Sequence, residues 1–256
     1  MVIDNNNVIF GMFNDIENST VKFLGKGNIL FIESGVRLLN SNLTFKGNNS
    51  LVYLSSNNNS YVIKISINSD CTVFIGKDNY FNEGTLIVSS ESRNVFIGDN
   101  CLFSLGTVIR NADAHLIYDM TSGERVNFTK SIYVGDHVWI GQNALLLKGV
   151  IVGSGSIIGA ASVISNKVVN SNSIFAGVPA REIRKNIFWS GECVHSWTKE
   201  MTNKFSSRDR FFYYERDEDT LSIEQFEDGL NSLINASERL DYVLDKFKGK
   251  KNRMFT

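Results

Sequence analysis

The chain has 256 residues, enough for one large domain or for one domain with a smaller appendage. Its 26 Lys and Arg nearly balance its 27 Asp and Glu, and a net charge of −1 argues against a protein devoted to binding nucleic acid. With 43% hydrophobic residues the chain can bury a core, yet no run approaches the ~20 apolar residues of a membrane span. The N-terminal MVIDNNN lacks the features of a secretory signal. Three cysteines without a CxxC pair (Cys71, Cys101 and Cys193) favour the cytoplasm.

Short apolar runs separated by Asn, Gly, Ser and Asp fill the first 180 residues, as in 28–32 and 72–75. An ordinary β-sandwich would explain such runs. A finer pattern favours another fold, because pairs of an aliphatic residue and glycine recur at positions 134, 140, 152 and 158, all multiples of six apart. This period is typical of a hexapeptide parallel β-helix, in which three hexapeptides form one triangular coil.

The six-residue period predicts a β-helix domain over residues 70–180. Over residues 1–69 the period is irregular, which predicts irregular β coils that cap the N-terminal end of the solenoid. Residues 110–131 interrupt the pattern with a segment of mixed polarity. In a solenoid an insertion becomes a loop that projects from one face, and such loops often carry the functional site.

A C-terminal extension, residues 181–256, follows the solenoid. It contains one predicted amphipathic helix at about 223–248, with Ser222 and Gln225 at the spacing of a capping box. The sequence does not indicate whether this helix packs on its own solenoid or on a partner. The basic segment 248–256 is expected to be a solvated tail rather than an anion-binding site.

Three motifs occur in a fixed order: a loop with Asn111, Asp113 and His115, then DHVWIG at 136–141, then AGVPA at 176–180. This order resembles the hexapeptide-repeat O-acetyltransferases, which include the galactoside, maltose and streptogramin acetyltransferases. The tyrosine and aspartate that follow the histidine resemble the capsular polysaccharide and sialic acid O-acetyltransferase branch.

The resemblance covers about residues 70–190. It implies a mainly β, left-handed parallel β-helix with an extruded loop and a C-terminal helical segment. It also implies acetyl-CoA as the donor, no metal, and a carbohydrate acceptor in a bacterial capsule or surface polysaccharide. The implied assembly is a homotrimer with active sites at the subunit interfaces.

Acetyl transfer to a sugar hydroxyl requires a base, and neutral imidazole is suited to that role. His115 matches the family's catalytic histidine, and Asn111 and Asp113 are close enough in sequence to orient it. His137, in the coil turn before Trp139, is expected to have a structural or supporting role. His195 lies beyond the solenoid.

Trp139 stands where a hexapeptide coil normally has a smaller side chain. If it faces outward beside the loop, its indole can donate one hydrogen bond and offer a flat surface to the donor and acceptor, as similar capsule enzymes use a tryptophan here. If it faces inward, it is part of the core. We favour the functional interpretation.

The resemblance also implies a pantetheine path along coil turns, nucleotide phosphates near basic side chains, and an adenine site at the AGVPA corner. Small residues in those turns would let the donor approach the backbone closely. The matching positions are Gly141, Asn143, Ala160, Ala161, Lys167, Pro179, Ala180 and Arg184.

Three alternatives stay open at this point. The same fold can N-acetylate an amino-sugar nucleotide, or bind a ligand without catalysis. A γ-type carbonic anhydrase requires three zinc-binding histidines, and the three histidines of this chain lack that family's spacing.

Overall fold

The computed structural model describes residues 4–204, 213–250 and 253–256. The remaining parts of the predicted N-terminal and C-terminal segments, 1–3, 205–212 and 251–252, lie outside the described residues. Short strands wind into a solenoid with three faces, and helices follow it. The predicted parallel β-helix is therefore confirmed.

The strands on face 1 are β1 (Val8–Phe10), β4 (Ile29–Ile32), β7 (Leu51–Leu54), β9 (Thr72–Ile75), β12 (Val95–Ile97), β15 (Ile132–Val134), β18 (Ile151–Val152) and β21 (Val168–Val169). Face 2 contains β10 (Tyr80–Phe81), β13 (Leu102–Phe103), β16 (Trp139–Ile140), β19 (Ile157–Ile158), β22 (Ile174–Gly177) and β23 (Ala180–Arg184), and on its N-terminal side the separate pair β2 (Asp15–Glu17) and β5 (Arg37–Leu39). Face 3 contains β3 (Thr20–Phe23), β6 (Asn42–Phe45), β8 (Ile63–Ile67), β11 (Thr85–Ser89), β14 (Val108–Arg110), β17 (Leu145–Leu147) and β20 (Val163–Ile164). The helices are α1 (Lys199–Lys204), α2 (Ile223–Asn231) and α3 (Ala236–Lys246), with 3-10 turns at Asp4–Asn6 and Val194–Ser196.

The coils before the extruded loop are longer than the coils after it. Val73 pairs with Val95, 22 residues later, whereas Tyr133 pairs with Ile151, 18 residues later. The step that contains the loop, from Val95 to Ile132, is 37 residues. Only an 18-residue coil consists of three hexapeptides, so the six-residue period applies to the coils after the loop alone.

This difference corrects two expectations about the N-terminal half. Residues 1–69 are predicted as irregular coils, but their strands pair in parallel register with those that follow them. Residues 70–109 are predicted as hexapeptide coils, but they belong to the 22-residue type. The period is ragged there because the coil is longer, not because the structure is irregular.

Backbone turns at the three corners use residues that tolerate a left-handed conformation. At the first corner, between faces 1 and 2, the residues with positive φ include Asp78, Asn100, His137, Gly155 and Asn172. Asn and Asp adopt this conformation more readily than most residues, which explains their frequency between the strands.

The C-terminal extension packs against face 1 of its own solenoid. An outward row of stacked aromatic rings (Phe31, Tyr53, Phe74, Phe96 and Tyr133) covers that face. Phe226 of α2 and Phe247 lie against the row, 5.2 Å from Phe96 and 5.0 Å from Phe74 between ring centroids. The helices therefore close face 1 and leave faces 2 and 3 open.

The single predicted helix at 223–248 is wrong, since two helices occupy this segment. Ser222 caps α2 and accepts a hydrogen bond from the Gln225 amide, as its spacing indicates. A second cap follows, in which Asn235 accepts from the Glu238 amide and Glu238 accepts from the Ile234 amide. This reciprocal cap starts a new helix inside the apolar pattern and turns the chain back along face 1.

The expectation of a solvated tail is also wrong for residues 253–256. Arg253 is buried, and its guanidinium lies 2.8 Å from Asp99 and 2.9 Å from Asp136. Met254 is buried too, and its carbonyl accepts a hydrogen bond from the Ser154 amide. The tail docks because buried carboxylates at the first corner require a cationic partner. Within the described residues, no helix is long and apolar enough to cross a membrane.

Candidate active site

The extruded loop leaves the third corner, between faces 3 and 1, after Arg110 and returns to the solenoid at Ile132. Its middle is a small hairpin in which Tyr118 pairs with Arg125. Two ion pairs hold its base: Arg125 binds Glu91 in a bidentate pair at 2.9 Å, and Lys148 lies 2.5 Å from Asp113. The loop is therefore a structured projection fixed at one corner.

His115 is exposed near the start of this loop. Its carbonyl accepts a hydrogen bond of 2.8 Å from the Asn127 amide group, which also donates to the Asp113 carboxylate at 3.0 Å. Asn127 and Lys148 thus fix the backbone on both sides of the histidine and leave its ring free to face outward.

The two residues predicted to orient His115 have other partners in the chain. Asn111 is buried, where it donates to the Ser89 hydroxyl and accepts from the Ser90 amide, so it closes a coil. Asp113 binds Lys148 and Asn127, and the hydrogen bond from Lys148 is the main cause that lowers the pKa of Asp113. Among the described residues, neither makes a recorded contact with the His115 ring.

Trp139 faces outward, since it opens β16 with 39% of its surface exposed while the next residue, Ile140, is buried in the core. The core interpretation of Trp139 therefore does not hold. Its indole N–H donates to the Ser104 hydroxyl at 3.3 Å, and its ring lies 6.0 Å from Trp189. The sequence pattern gave no indication of either neighbour.

His137 is a structural residue, as expected. It is buried at the first corner with a φ of 51°, and its ring stacks on Trp189 at 4.0 Å with 6° between the planes. Its Nε2 atom lies 3.0 Å from the Trp189 carbonyl. Burial lowers the pKa of His137, although the Trp189 carbonyl opposes this. At neutral pH the ring is therefore uncharged and donates through Nε2.

Most of the predicted donor-binding residues lie along the second corner, between faces 2 and 3. The exposed turns with Asn143 and Ala161 stack there, and the Gly177 amide at the tip of the β22–β23 hairpin donates to Ser162 of the same corner. Six predicted positions thus share one edge: Gly141, Asn143, Ala160, Ala161, Pro179 and Ala180.

The reason for one of these small residues differs from the expected one. A Cβ atom on Gly141 would come within 2.6 Å of the Ala160 amide nitrogen in the next coil. Gly141 is therefore required by coil stacking and not by the approach of a ligand. Ala160 and Ala161 are exposed, so the expected ligand approach fits them.

Lys167 and Arg184 are not at this edge. Lys167 follows the third corner and places its ammonium 5.9 Å from the centroid of the Phe175 ring. Arg184 pairs with Ile174, at the opposite end of β22 from the hairpin tip. A role in phosphate binding would require both side chains to act from a different side of the solenoid than the turns.

A groove of about 530 Å³ lies at the foot of the loop, between Phe128, Lys130 and α2. Arg93 and Lys130 line it together with Glu227 and Asp228, so its charge is mixed. A second groove of about 550 Å³ crosses the N-terminal coils beside Asn18 and Asn40. Neither groove contains His115 or Trp139. Among the described residues there is no cluster of three or more His, Cys, Asp or Glu suited to a metal.

Triangular parallel coils, an extruded loop with an exposed histidine and a hairpin after the last coil define the class of protein: an acyltransferase of the β-helix type. Comparison with known proteins agrees. The family model "Bacterial transferase hexapeptide (six repeats)" matches residues 131–166. A polysialic acid O-acetyltransferase of Neisseria meningitidis is 33% identical over 192 residues, which cover 75% of this chain and 89% of that protein.

Two solved structures are similar over most of the chain. The polySia specific acetyltransferase NeuO has a TM-score of 0.65 and 29% identity, covering 77% of this chain and 96% of that one. The polysialic acid O-acetyltransferase OatWY has a TM-score of 0.58 and 27% identity, covering 77% and 97%. The chain belongs to the hexapeptide-repeat O-acetyltransferase family, in the branch that includes these proteins, and it is an O-acetyltransferase.

Proposed function

We propose that this enzyme transfers the acetyl group of acetyl-CoA to a hydroxyl group of a sialic acid residue in a capsular polysaccharide. The observation that carries this proposal is the 33% identity to a polysialic acid O-acetyltransferase, which spans the loop and the coils together. N-acetylation of an amino-sugar nucleotide is the second candidate, and the acceptor tests below separate the two.

In the proposed mechanism the neutral His115 ring takes the proton of the sugar hydroxyl as the oxygen attacks the acetyl carbonyl carbon. A coil-turn N–H stabilises the oxyanion that forms. The C–S bond then breaks, and His115 returns the proton to the thiolate, so the products are the sugar acetate and CoA.

Transfer is proposed to be direct, in a ternary complex. The loop has no cysteine, and the hydroxyls of Thr121 and Ser122 lie at its exposed tip, where the backbone amides of both residues are bound by Asp119. An acyl-enzyme would need a nucleophile with an adjacent base. Intersecting lines in a two-substrate initial-velocity plot are expected, and parallel lines would contradict direct transfer.

We further propose a homotrimer in which the loop of one subunit completes the site of its neighbour. Trp139 lies on face 2, whereas the loop leaves the corner between the other two faces, so one subunit keeps the two residues apart. Six large hydrophobic side chains of the loop are each more than half exposed: Leu116, Ile117, Tyr118, Met120, Val126 and Phe128. Such a concentration of exposed apolar surface is typical of an interaction site.

Face 3 offers a second apolar surface for the same assembly. Its outward row after the N-terminal coils consists of Leu86, Val108, Leu145 and Val163, which are only partly buried in the single chain. Multi-angle light scattering should give three chains per particle. A stable, active monomer would contradict the assembly.

Donor binding is proposed along the second corner, at Asn143, Ala160, Ala161 and the Pro179–Ala180 tip. Gly141 shapes this corner, and Lys167 and Arg184 would reach the phosphates only from a neighbouring subunit. The three cysteines are free thiols. Together with the use of acetyl-CoA, they support the cytoplasm as the place of action.

The experiment that tests the function is a transfer assay with mass detection. Acetyl-CoA is incubated with polysialic acid, with a neutral polysaccharide and with an amino-sugar nucleotide. We expect the mass of acetyl groups on polysialic acid only, and their loss after mild alkali, which cleaves esters and leaves amides. Alkali-stable acetylation of the nucleotide sugar would favour the second candidate.

A further inference from the structure

Trp189, early in the C-terminal extension, is joined to the turn that precedes the active-site tryptophan. Its Nε1–H donates to the His137 carbonyl at 2.9 Å, and its own carbonyl accepts from His137 Nε2 at 3.0 Å. The two rings stack at 4.0 Å. This reciprocal pairing uses the polar groups of both side chains, and Trp189 is only 8% exposed.

The far end of the extension holds the preceding residue of the same turn. Arg253 binds Asp136 at 2.9 Å and Asp99 at 2.8 Å, and its guanidinium lies 4.6 Å from the Phe247 ring. Burial is the largest influence on Asp136 and raises its pKa, while the charge of Arg253 opposes this shift. Asp136 and His137 are thus both bound by the extension, one by its end and the other by its beginning.

This turn determines how Trp139 leaves the first corner. His137 has a left-handed backbone, and β16 begins two residues later with the outward indole. The indole is bounded by Ser104, which accepts its N–H, and by Trp189, whose ring centroid is 6.0 Å away at an angle of 44°. An exposed side chain with two such neighbours has few accessible rotamers.

We propose that Trp189 is a positioning residue, through which the C-terminal extension fixes the orientation of Trp139 toward the acetyl donor. This inference rests on the proposed function, in which Trp139 contacts the donor. It gives the extension a role in catalysis in addition to its cover of face 1. A misplacement of about 1 Å in a reacting geometry can cost on the order of 100-fold in rate, so a remote support of this kind has a measurable effect.

The experiment compares Trp189→Leu with Leu240→Ala, a control within the same extension. Leu240 is buried in α3 against face 1 and does not contact the first corner. Both proteins are assayed at a temperature at which circular dichroism and light scattering show a folded, assembled enzyme. We expect kcat to fall about 10- to 100-fold in Trp189→Leu. In Leu240→Ala we expect kcat to stay within about twofold of the unaltered enzyme.

A double-mutant cycle tests whether Trp189 acts through Trp139. In a Trp139→Ala background, Trp189→Leu should change kcat by no more than about twofold, because the group that it positions is absent. Trp189→Phe keeps a ring against His137 and should recover most of the turnover. If Trp189→Leu does not assemble, Trp189→Met fills the same space without a ring and takes its place in the cycle.

Two results would overturn the inference. Equal losses from Trp189→Leu in both backgrounds would show a general structural effect, as would a loss equal to that of Leu240→Ala. Full turnover in Trp139→Ala would overturn the inference together with the proposed role of Trp139. A slow Trp139→Ala enzyme with additive losses would overturn the inference alone and leave the proposed function intact.

Discussion

The coils before the extruded loop and the coils after it share three faces but differ in bore. In the 22-residue coils the strands of faces 1 and 3 reach four or five residues, as in β7, β8 and β11, whereas β18 and β20 have two. Face 2 keeps two-residue strands from β10 to β19. The extra residues therefore widen two faces and leave the face that carries Trp139 unchanged.

The interior follows the bore. Aromatic side chains fill the wide coils: Phe23 stacks on Phe45 at 4.5 Å, and Phe81 stacks on Phe103 at 4.9 Å. In the narrow coils the interior residues are aliphatic, such as Ile140, Ala144 and Leu146. The comparison indicates a division of roles, in which the wide coils provide packing and the narrow coils with their loop provide the chemistry.

The largest expected effect follows from the loop. His115→Ala should lower turnover by roughly 10²–10⁴-fold, because it removes the general base, while the trimer and the affinity for CoA persist. Rates, light scattering and CoA titration provide the three measurements. Thr121→Ala, an exposed substitution on the same loop, is the control and should retain activity. Near-normal turnover in His115→Ala would show that the base lies elsewhere.

The bore itself can be tested next. Phe103→Ala should lower the free energy of unfolding by about 3–5 kcal/mol, since it leaves a cavity in a wide coil. Leu146→Phe, which adds a ring to a narrow coil, should cost about 1–3 kcal/mol through overpacking. Denaturant unfolding at a fixed protein concentration measures both. If the narrow coil accepts the ring without cost, the proposed match between coil length and interior residue is wrong.

A pair of outward aromatics on face 2 separates the two regions at matched exposure. Tyr80 and Trp139 belong to one row through Leu102, with 45% and 39% of their surfaces exposed. Trp139→Ala should lower turnover on the order of 100-fold with little change in melting temperature. Tyr80→Ala should leave the rate near that of the unaltered enzyme. Equal rates for the two variants would assign no special role to the narrow coil.

The smallest effect concerns pH. Burial holds the pKa of His137 below 6.5, so in acid the unfolded chain takes up a proton before the folded chain does. Stability should therefore fall as the pH is lowered from 6.5 toward the folded pKa, and lose no more from this group below it. Tyr214, whose ring lies 6.5 Å away, stays uncharged in this range because its pKa is raised by burial.

His137→Asn is the matched variant for this prediction. Asn already occupies the left-handed position of the same corner at Asn100 and Asn172, so the backbone accepts it. Melting curves between pH 5 and pH 7 should show a smaller acid-dependent loss in His137→Asn than in the unaltered enzyme. An identical loss in both proteins would assign the acid sensitivity to other groups.

The sequence allowed the prediction of the fold where the coil is three hexapeptides long. It also predicted the extruded loop and the Ser222 cap, since these depend on local patterns. The 22-residue coils disguised the same solenoid, because a repeat that is not a multiple of six hides the aliphatic rows. The placement of Trp189, Arg253 and Lys148 could not be predicted, since each acts on residues distant in sequence and has no periodic signal.

The pairing of Arg253 with Asp136 joins residues 117 positions apart. Coils of a solenoid contact mainly their neighbours, so they can form in order as the chain leaves the ribosome. The turn before Trp139 is different, because its partner is synthesised long after the coil that contains it. A nascent solenoid can thus be wound through its last coil while that turn still lacks its cationic partner, and the Asp136–Arg253 pair forms only once residue 253 has emerged.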